Sequence, residues 1–228
     1  MNNLIKPVLD AHIISYELEN EKDIAKAFEH FFNYLTVRNY TSRHFDPSDI
    51  SLGKGEVGID GVAIIVNDIL VTTMSEIEEL FKGGETDISV SFVFVQSKTS
   101  ESFDSSGMTQ FFEAVNDFLS NGRIIMNDKA TELRAVCKYI MQHPTQLSKN
   151  PDCHLFYSFT GKSVENKTRN ALVEQEIEYL KRMAVFDEVT FGLYDAEKII
   201  VSCRAIKNSI KKTIDMVDCA VLPKVHNI

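Results

Sequence analysis

Between residues 21 and 37 the apolar side chains Ile24, Phe28, Phe31 and Leu35 recur at three- and four-residue spacing, with Ala27 completing the stripe. That period predicts a core-facing helix over 21–37. A polar stretch follows, with Asp46-Pro47-Ser48-Asp49 and the glycines Gly53, Gly55 and Gly58, which is the chemistry of a loop. The period then shortens to that of strands. β-Branched runs at 59–66 and 69–73, separated by Asn67-Asp68, predict a hairpin with a two-residue turn. A short helix is expected at 75–81 and a turn at Gly83-Gly84, and the run 89–95 is apolar on nearly both faces, which predicts a central strand.

Further on, Met108, Phe111, Val115 and Phe118 share one side of a helix expected at 107–119, with Asp104 or Ser105 available as its cap. Ala130, Leu133, Cys137 and Ile140 mark another at 129–141, ending before Pro144. A strand at 154–159, a helix at 164–183 and a strand at 188–193 lead to a final helix at 196–217, whose apolar positions are Ile199, Cys203, Ile206, Ile210 and Ile214. No internal repeat or low-complexity tract interrupts this order. It describes an α/β fold, with helices packed on a mixed sheet.

Composition narrows the class. The 228 residues are 44% hydrophobic and 25% charged, the proportions of a folded chain, and the length suits one domain. The formal charge of -9 is uneven: residues 1–125 hold 9 Lys+Arg against 20 Asp+Glu, and residues 126–228 hold 15 against 13. An acidic first half argues against a simple electrostatic nucleic-acid binder and is compatible either with a divalent-cation site or with ordinary solubility. No apolar run approaches a membrane span, and the start MNNLIKPVLDAH has neither basic leader nor apolar core, so a cytoplasmic protein is expected. Cys137, Cys153, Cys203 and Cys219 form no CxxC pair and read as buried free thiols. His12, His30, His44, His143, His154 and His226 form no ligand spacing and support no triad, and Gly53-Lys54-Gly55 lacks the spacing of a P-loop.

Two places carry candidate chemistry: Gly58-Ile59-Asp60-Gly61 at the start of the first strand and Gln96-Ser97-Lys98 at the end of the third. Period 2 puts Gln96 and Lys98 on the face shared by Val90, Phe92 and Phe94, so both project where the strand leaves the core. With the strand beginning at Asp60 beside them, an acid, an amide oxygen and an ammonium would surround one small volume. Such a set suits phosphodiester hydrolysis, because hard oxygens hold Mg²⁺ while the lysine orients water and neutralises charge. A second acidic-x-Lys triplet, Glu165-Asn166-Lys167, opens a predicted helix and reads as terminal helix charge.

The order helix, Asp at a strand start, Gln-x-Lys at the end of a later strand, helix, strand resembles the PD-(D/E)XK nuclease superfamily, in the Gln-containing variant of Mrr-type restriction endonucleases. The phrases GIDGVAIIVND, SFVFVQSKTSESFD and FFEAVNDFL are similar to the amino-terminal domain of the AIPR (abortive infection phage resistance) family, over residues 20 to 120 well and more loosely beyond. The resemblance implies a restriction-endonuclease-like αβββαβ core at about 20–160, with αβ units added at 161–228. It implies the amino-terminal part of a longer protein whose carboxy-terminal domain lies elsewhere. It assigns Asp60 as the metal-binding acid, Gln96 to the place where most members carry Asp or Glu, Lys98 as the catalytic lysine and Mg²⁺ or Mn²⁺ as cofactor. Nucleic acid is the implied partner, DNA and RNA both remaining open, as does a homodimer.

The superfamily often adds an acid from its first helix, and Glu29 is the candidate, because Ala25, Glu29 and Phe32 share the border of that helix's apolar stripe. A solvated helix acid is its bland alternative. Ser97, Thr99 and Ser100, in a cluster continuing through Ser102, Ser105 and Ser106, are candidates for phosphate contact, beside the routine reading of a Ser-rich loop. Asp46 and Asp49 are either metal-directed or turn residues. Lys207, Lys211 and Lys212 form a basic strip on the last helix. A neutral amide at Gln96 is a weaker ligand than a carboxylate, so the competing expectation is an inactive nuclease-fold scaffold in the same defence setting.

Overall fold

The computed structural model describes residues 2–53, 58–84, 86–120, 122 and 126–210, the last four of these without side chains. The chain opens with a helix that the sequence pattern does not announce, α1 (Lys6–Ser15), started by Pro7 in its first turn. Its inward face is Leu9 and His12, with Ile5 buried just before the first turn, so the apolar stripe passes through a histidine. Helix α2 (Ile24–Val37) begins three residues later than expected, because the Asp23 carboxylate caps it by accepting from the Ala25 N–H. It buries Ala27, Phe28, Phe31, Phe32 and Leu35.

Strands β1 (Gly61–Val66) and β2 (Ile69–Val71) form the expected hairpin. Asn67 and Asp68 take φ of +46° and +68°, the left-handed pair that matches the twist of antiparallel strands. Helix α3 (Met74–Lys82) starts in a reciprocal Thr73–Glu76 capping box and leads to β3 (Val90–Lys98). Then follow α4 (Ser105–Leu119), capped by Asp104, α5 (Asp128–Gln142), capped by Asn127, and β4 (Asp152–Phe159). Helix α6 (Lys167–Arg182) begins three residues later than expected, at its Asn166 cap, and β5 (Val189–Tyr194) and α7 (Ala196–Ile210) complete the order.

The five strands make one mixed sheet in the order β2-β1-β3-β4-β5. β1 runs antiparallel to β2 and β3, while β3, β4 and β5 are mutually parallel. Strand alternation splits the core in two. Val62, Ile64, Phe92, Phe94 and Leu155 face Phe111, Phe118, Leu133, Ile140 and Leu180 of α4, α5 and α6. Ala63, Ile65, Val93, Val95 and Phe156 face Leu9, Phe28, Phe32 and Ile199 of α1, α2 and α7. The protein is therefore an α/β fold with helices on both faces of the sheet.

Cys137 and Cys153 are buried free thiols, as expected, and Cys203 is buried without a disulfide. Among the described residues no helix is long and apolar enough to cross a membrane. The expected continuation of the last helix to 217, the Lys211 and Lys212 part of the basic strip with the Lys207 side chain, Cys219, His226, Lys54 and Gly55 lie outside the described residues and side chains.

Candidate functional site

Antiparallel pairing fixes where the two motifs meet. Gly61 pairs with Val95 and Val62 with Phe94, and the Asp60 N–H extends the ladder by donating to the Val95 carbonyl at 2.9 Å. The start of β1 therefore lies beside the end of β3, and Asp60 reaches Gln96-Ser97-Lys98 from the neighbouring strand. Its Oδ2 accepts two hydrogen bonds from one residue, the Ser97 N–H at 2.7 Å and the Ser97 Oγ–H at 2.8 Å. Ser97, expected to contact phosphate, thus has its hydroxyl committed to Asp60.

The helix acid arrives from the other side. Glu29 faces the sheet from α2, and its Oε1 accepts a hydrogen bond from the Ser51 hydroxyl. Ser51 is held in place by main-chain pairing: it bridges Gly61 in antiparallel sense, the Leu52 N–H donates to the Asp60 carbonyl at 2.9 Å, and the Val62 N–H donates to Ile50 at 3.0 Å. From α5, Asn127 Nδ2 donates to the Leu52 carbonyl at 2.6 Å and Lys129 Nζ to the Ser48 carbonyl at 2.9 Å. Nothing in residue spacing marks Ser51 as part of the site, since its bond runs from a loop to a helix 22 positions earlier.

Glu29, Asp60, Gln96 and Lys98 all line one cavity of about 560 Å³, together with Lys26, His30, Ser51, Ser97 and Thr99. Ser100 does not line it, and its hydroxyl donates to the Ser102 carbonyl instead. Asp46 and Asp49 are also outside the lining; Asp46 caps the 3-10 turn Pro47–Asp49 and stands 3.6 Å from His30 Nε2. His30 Nδ1 in turn meets His12 Nε2 at 2.8 Å, a pairing between α1 and α2 that the linear spacing of the histidines conceals.

The electrostatics are those of two half-buried acids. Burial, and secondarily the charge of Asp60, raises the Glu29 carboxyl to about 7, against the opposing hydrogen bond of Ser51. Burial also pushes the Asp60 carboxyl up from its ordinary value, while the Ser97 hydrogen bonds, the Lys98 ammonium and Gln96 pull it back. Gln96 is 2% exposed. Its Nε2 leans toward the Ser97 carbonyl at 3.4 Å, and its Oε1 is buried with no partner. An amide set between two acceptors must turn its NH₂ to them, which leaves the oxygen for something else.

These features fit a hard divalent cation, which would relieve the repulsion between two partly desolvated carboxylates and give the Gln96 oxygen a partner. Among the described residues no three His, Cys, Asp or Glu side chains come together as a ligand set. The donors would therefore be two carboxylates and one amide. In comparisons with protein-family models, curated proteins and solved structures, nothing matches the chain.

Proposed function

We propose that this chain is a divalent-metal-dependent phosphodiesterase of the nuclease type, acting on DNA or RNA, and that it belongs with AIPR-type phage-resistance proteins of bacteria. The observation that carries the reading is the shared cavity of Glu29, Asp60, Gln96 and Lys98, in which two half-buried acids stand with an amide whose oxygen has no partner. The element order α2-β1-β2-β3-α4-β4, with α3 and α5 added to it, supports a restriction-endonuclease-like core. Asp60, Glu29 and the Gln96 oxygen would hold the ion. When bound, Mg²⁺ or Mn²⁺ supplies Lewis-acid stabilisation of phosphoryl charge and a more acidic water.

The chain's own groups do the rest. Ser97 and Ser51 fix the two carboxylates, so little reorganisation accompanies the reaction. Lys98, on the same edge, presents an ammonium that orients the attacking water and offsets negative charge as it grows on the phosphate. The half-buried cavity lowers the local dielectric and strengthens each of these interactions.

Cleavage of single- and double-stranded DNA and RNA, with Mg²⁺ or Mn²⁺, tests the reading. Asp60→Ala and Lys98→Ala are each expected to lose at least about 100-fold in rate while remaining folded. The neutral amide of Gln96, a weaker ligand than a carboxylate, favours one second reading, a scaffold that keeps the fold without the reaction. No cleavage and no heat of metal binding from the unaltered chain would establish that alternative.

A further inference from the structure

The two carboxylates of the cavity are held in the same way. Each gives one oxygen to a serine: Asp60 Oδ2 takes both the N–H and the hydroxyl of Ser97, and Glu29 Oε1 takes the hydroxyl of Ser51. Neither serine is free to drift. Ser97 sits at the end of β3 in register with Ser158 of β4, and Ser51 is pinned by its bridge to Gly61 and by the Leu52 and Val62 main-chain bonds on either side. Resting on the metal site of the nuclease reading, one oxygen of each acid remains for an ion, with the unpartnered Gln96 Oε1 as the third.

That count discriminates between cations. Ca²⁺ takes six to eight oxygens at roughly 2.3–2.6 Å and commonly uses both oxygens of a carboxylate. Mg²⁺ is smaller, takes one or two carboxylate oxygens and keeps several waters. We propose that Ser51 and Ser97 are positioning residues that restrict Glu29 and Asp60 to one-oxygen ligation and thereby make the site prefer Mg²⁺ over Ca²⁺. Removing the Ser51 hydroxyl frees a Glu29 oxygen for two-oxygen ligation, which helps the larger ion, whereas Asp60 Oδ2 keeps the main-chain N–H of residue 97 whatever side chain stands there.

Calorimetric titration of the full chain with MgCl₂ and, separately, CaCl₂ tests this without any turnover. The unaltered chain is expected to bind Mg²⁺ the more tightly. In Ser51→Ala the ratio of Mg²⁺ to Ca²⁺ affinity falls by about tenfold, the size of effect that partners of metal ligands usually have, while Ser97→Ala, which keeps its N–H on Asp60, moves the ratio less. Ser51→Thr, which keeps the hydroxyl, retains the original ratio. A purely structural role would weaken both ions together and leave the ratio unmoved. Melting curves without metal verify folding, and the Ser51 pair of variants decides. An unaltered chain that prefers Ca²⁺ or binds both ions equally, or an unchanged ratio in Ser51→Ala, overturns this inference and leaves the nuclease reading standing. An unaltered chain that binds neither ion overturns both.

Discussion

Gly61 controls how closely α2 approaches the sheet beside Asp60. A Cβ at this position would lie 2.5 Å from Asn33 Oδ1 and 3.0 Å from Asn33 Cγ and Nδ2, where ordinary contact begins near 3.4 Å. Asn33 is fully buried and neither of its amide atoms has a partner, so it has no water-facing position to rotate into. In Gly61→Ala almost 1 Å must come from moving α2 off β1, and overpacking of this kind costs about 1–3 kcal/mol. For a chain of this length each kcal/mol is about 2–4 °C of Tm, so the expected fall is roughly 2–12 °C. Glu29 stands one helical turn before Asn33, and the same displacement carries it away from Asp60. Urea unfolding of the unaltered chain, Gly61→Ala, Asn33→Ala and the double variant measures the effect. With Asn33 truncated the obstacle is gone, and Gly61→Ala should then cost under about 0.5 kcal/mol, a coupling of about 1–2 kcal/mol between the two sites. Equal costs in both backgrounds would refute the idea that this contact sets the spacing.

Two further outcomes follow from the same packing. Burial, and then the neighbouring His30, holds the His12 imidazole down at about 4, below its ordinary 6.5. The unfolded chain therefore takes up this proton first; stability is complete above about pH 7 and declines as pH falls from about 6.5 toward 4. Between pH 7.5 and 5 the loss attributable to His12 is about 2 kcal/mol, and it should disappear in His12→Phe, whose ring keeps the packing against Phe31; identical pH slopes in the two proteins would count against it. At the hairpin, Asp68 accepts from the Ser42 N–H at 2.7 Å and from the Ser42 hydroxyl at 2.5 Å while holding φ of +68°. Asp68→Ala and Asp68→Gly lose the same bonds, but only alanine is strained at that φ, so denaturant melts should place alanine about 1 kcal/mol below glycine.

The parts of the fold that could be read from the chain are those in which one period dominates. The Phe28-Phe31-Leu35 stripe, the Asn67-Asp68 turn and the doubly apolar run through Phe92 and Phe94 each admit one element, and each forms. Helix α1 escaped because His12 occupies an inward position that a hydrophobic count leaves blank. The meeting of Asp60 with Gln96 and Lys98 was legible because a hairpin followed by a central strand brings the two chain segments to one edge. Glu29 was legible as a border position of an amphipathic helix. Ser51 was not, since its place depends on a single bridge to Gly61 in a stretch without periodicity. The partner of Ser97 was not legible for a related reason: strand alternation gives the direction of a side chain and does not reveal that a carboxylate on the next strand will claim its hydroxyl.

The charge around the cavity also determines how a polyanion could be held. The cations that line it are Lys26, whose ammonium is 3.6 Å from Glu21, and Lys98. Lys129, close enough to feel Glu29, is committed to the Ser48 carbonyl. Two lysines facing two phosphates release few counterions, so the slope of log affinity against log salt for duplex DNA should be near -2, from about 0.9 per phosphate neutralised. Raising sodium chloride from 50 to 200 mM at constant Mg²⁺ would then weaken binding by only about tenfold, where a protein making six to ten phosphate contacts loses about 10³ to 10⁵. Fluorescence anisotropy with Asp60→Asn, which keeps the shape of the site and removes the carboxylate on which the proposed cleavage depends, measures this directly. A slope steeper than about -5 would show that a basic surface away from the cavity dominates binding. It would overturn the inference that charge relief at this site falls to the bound ion and Lys98.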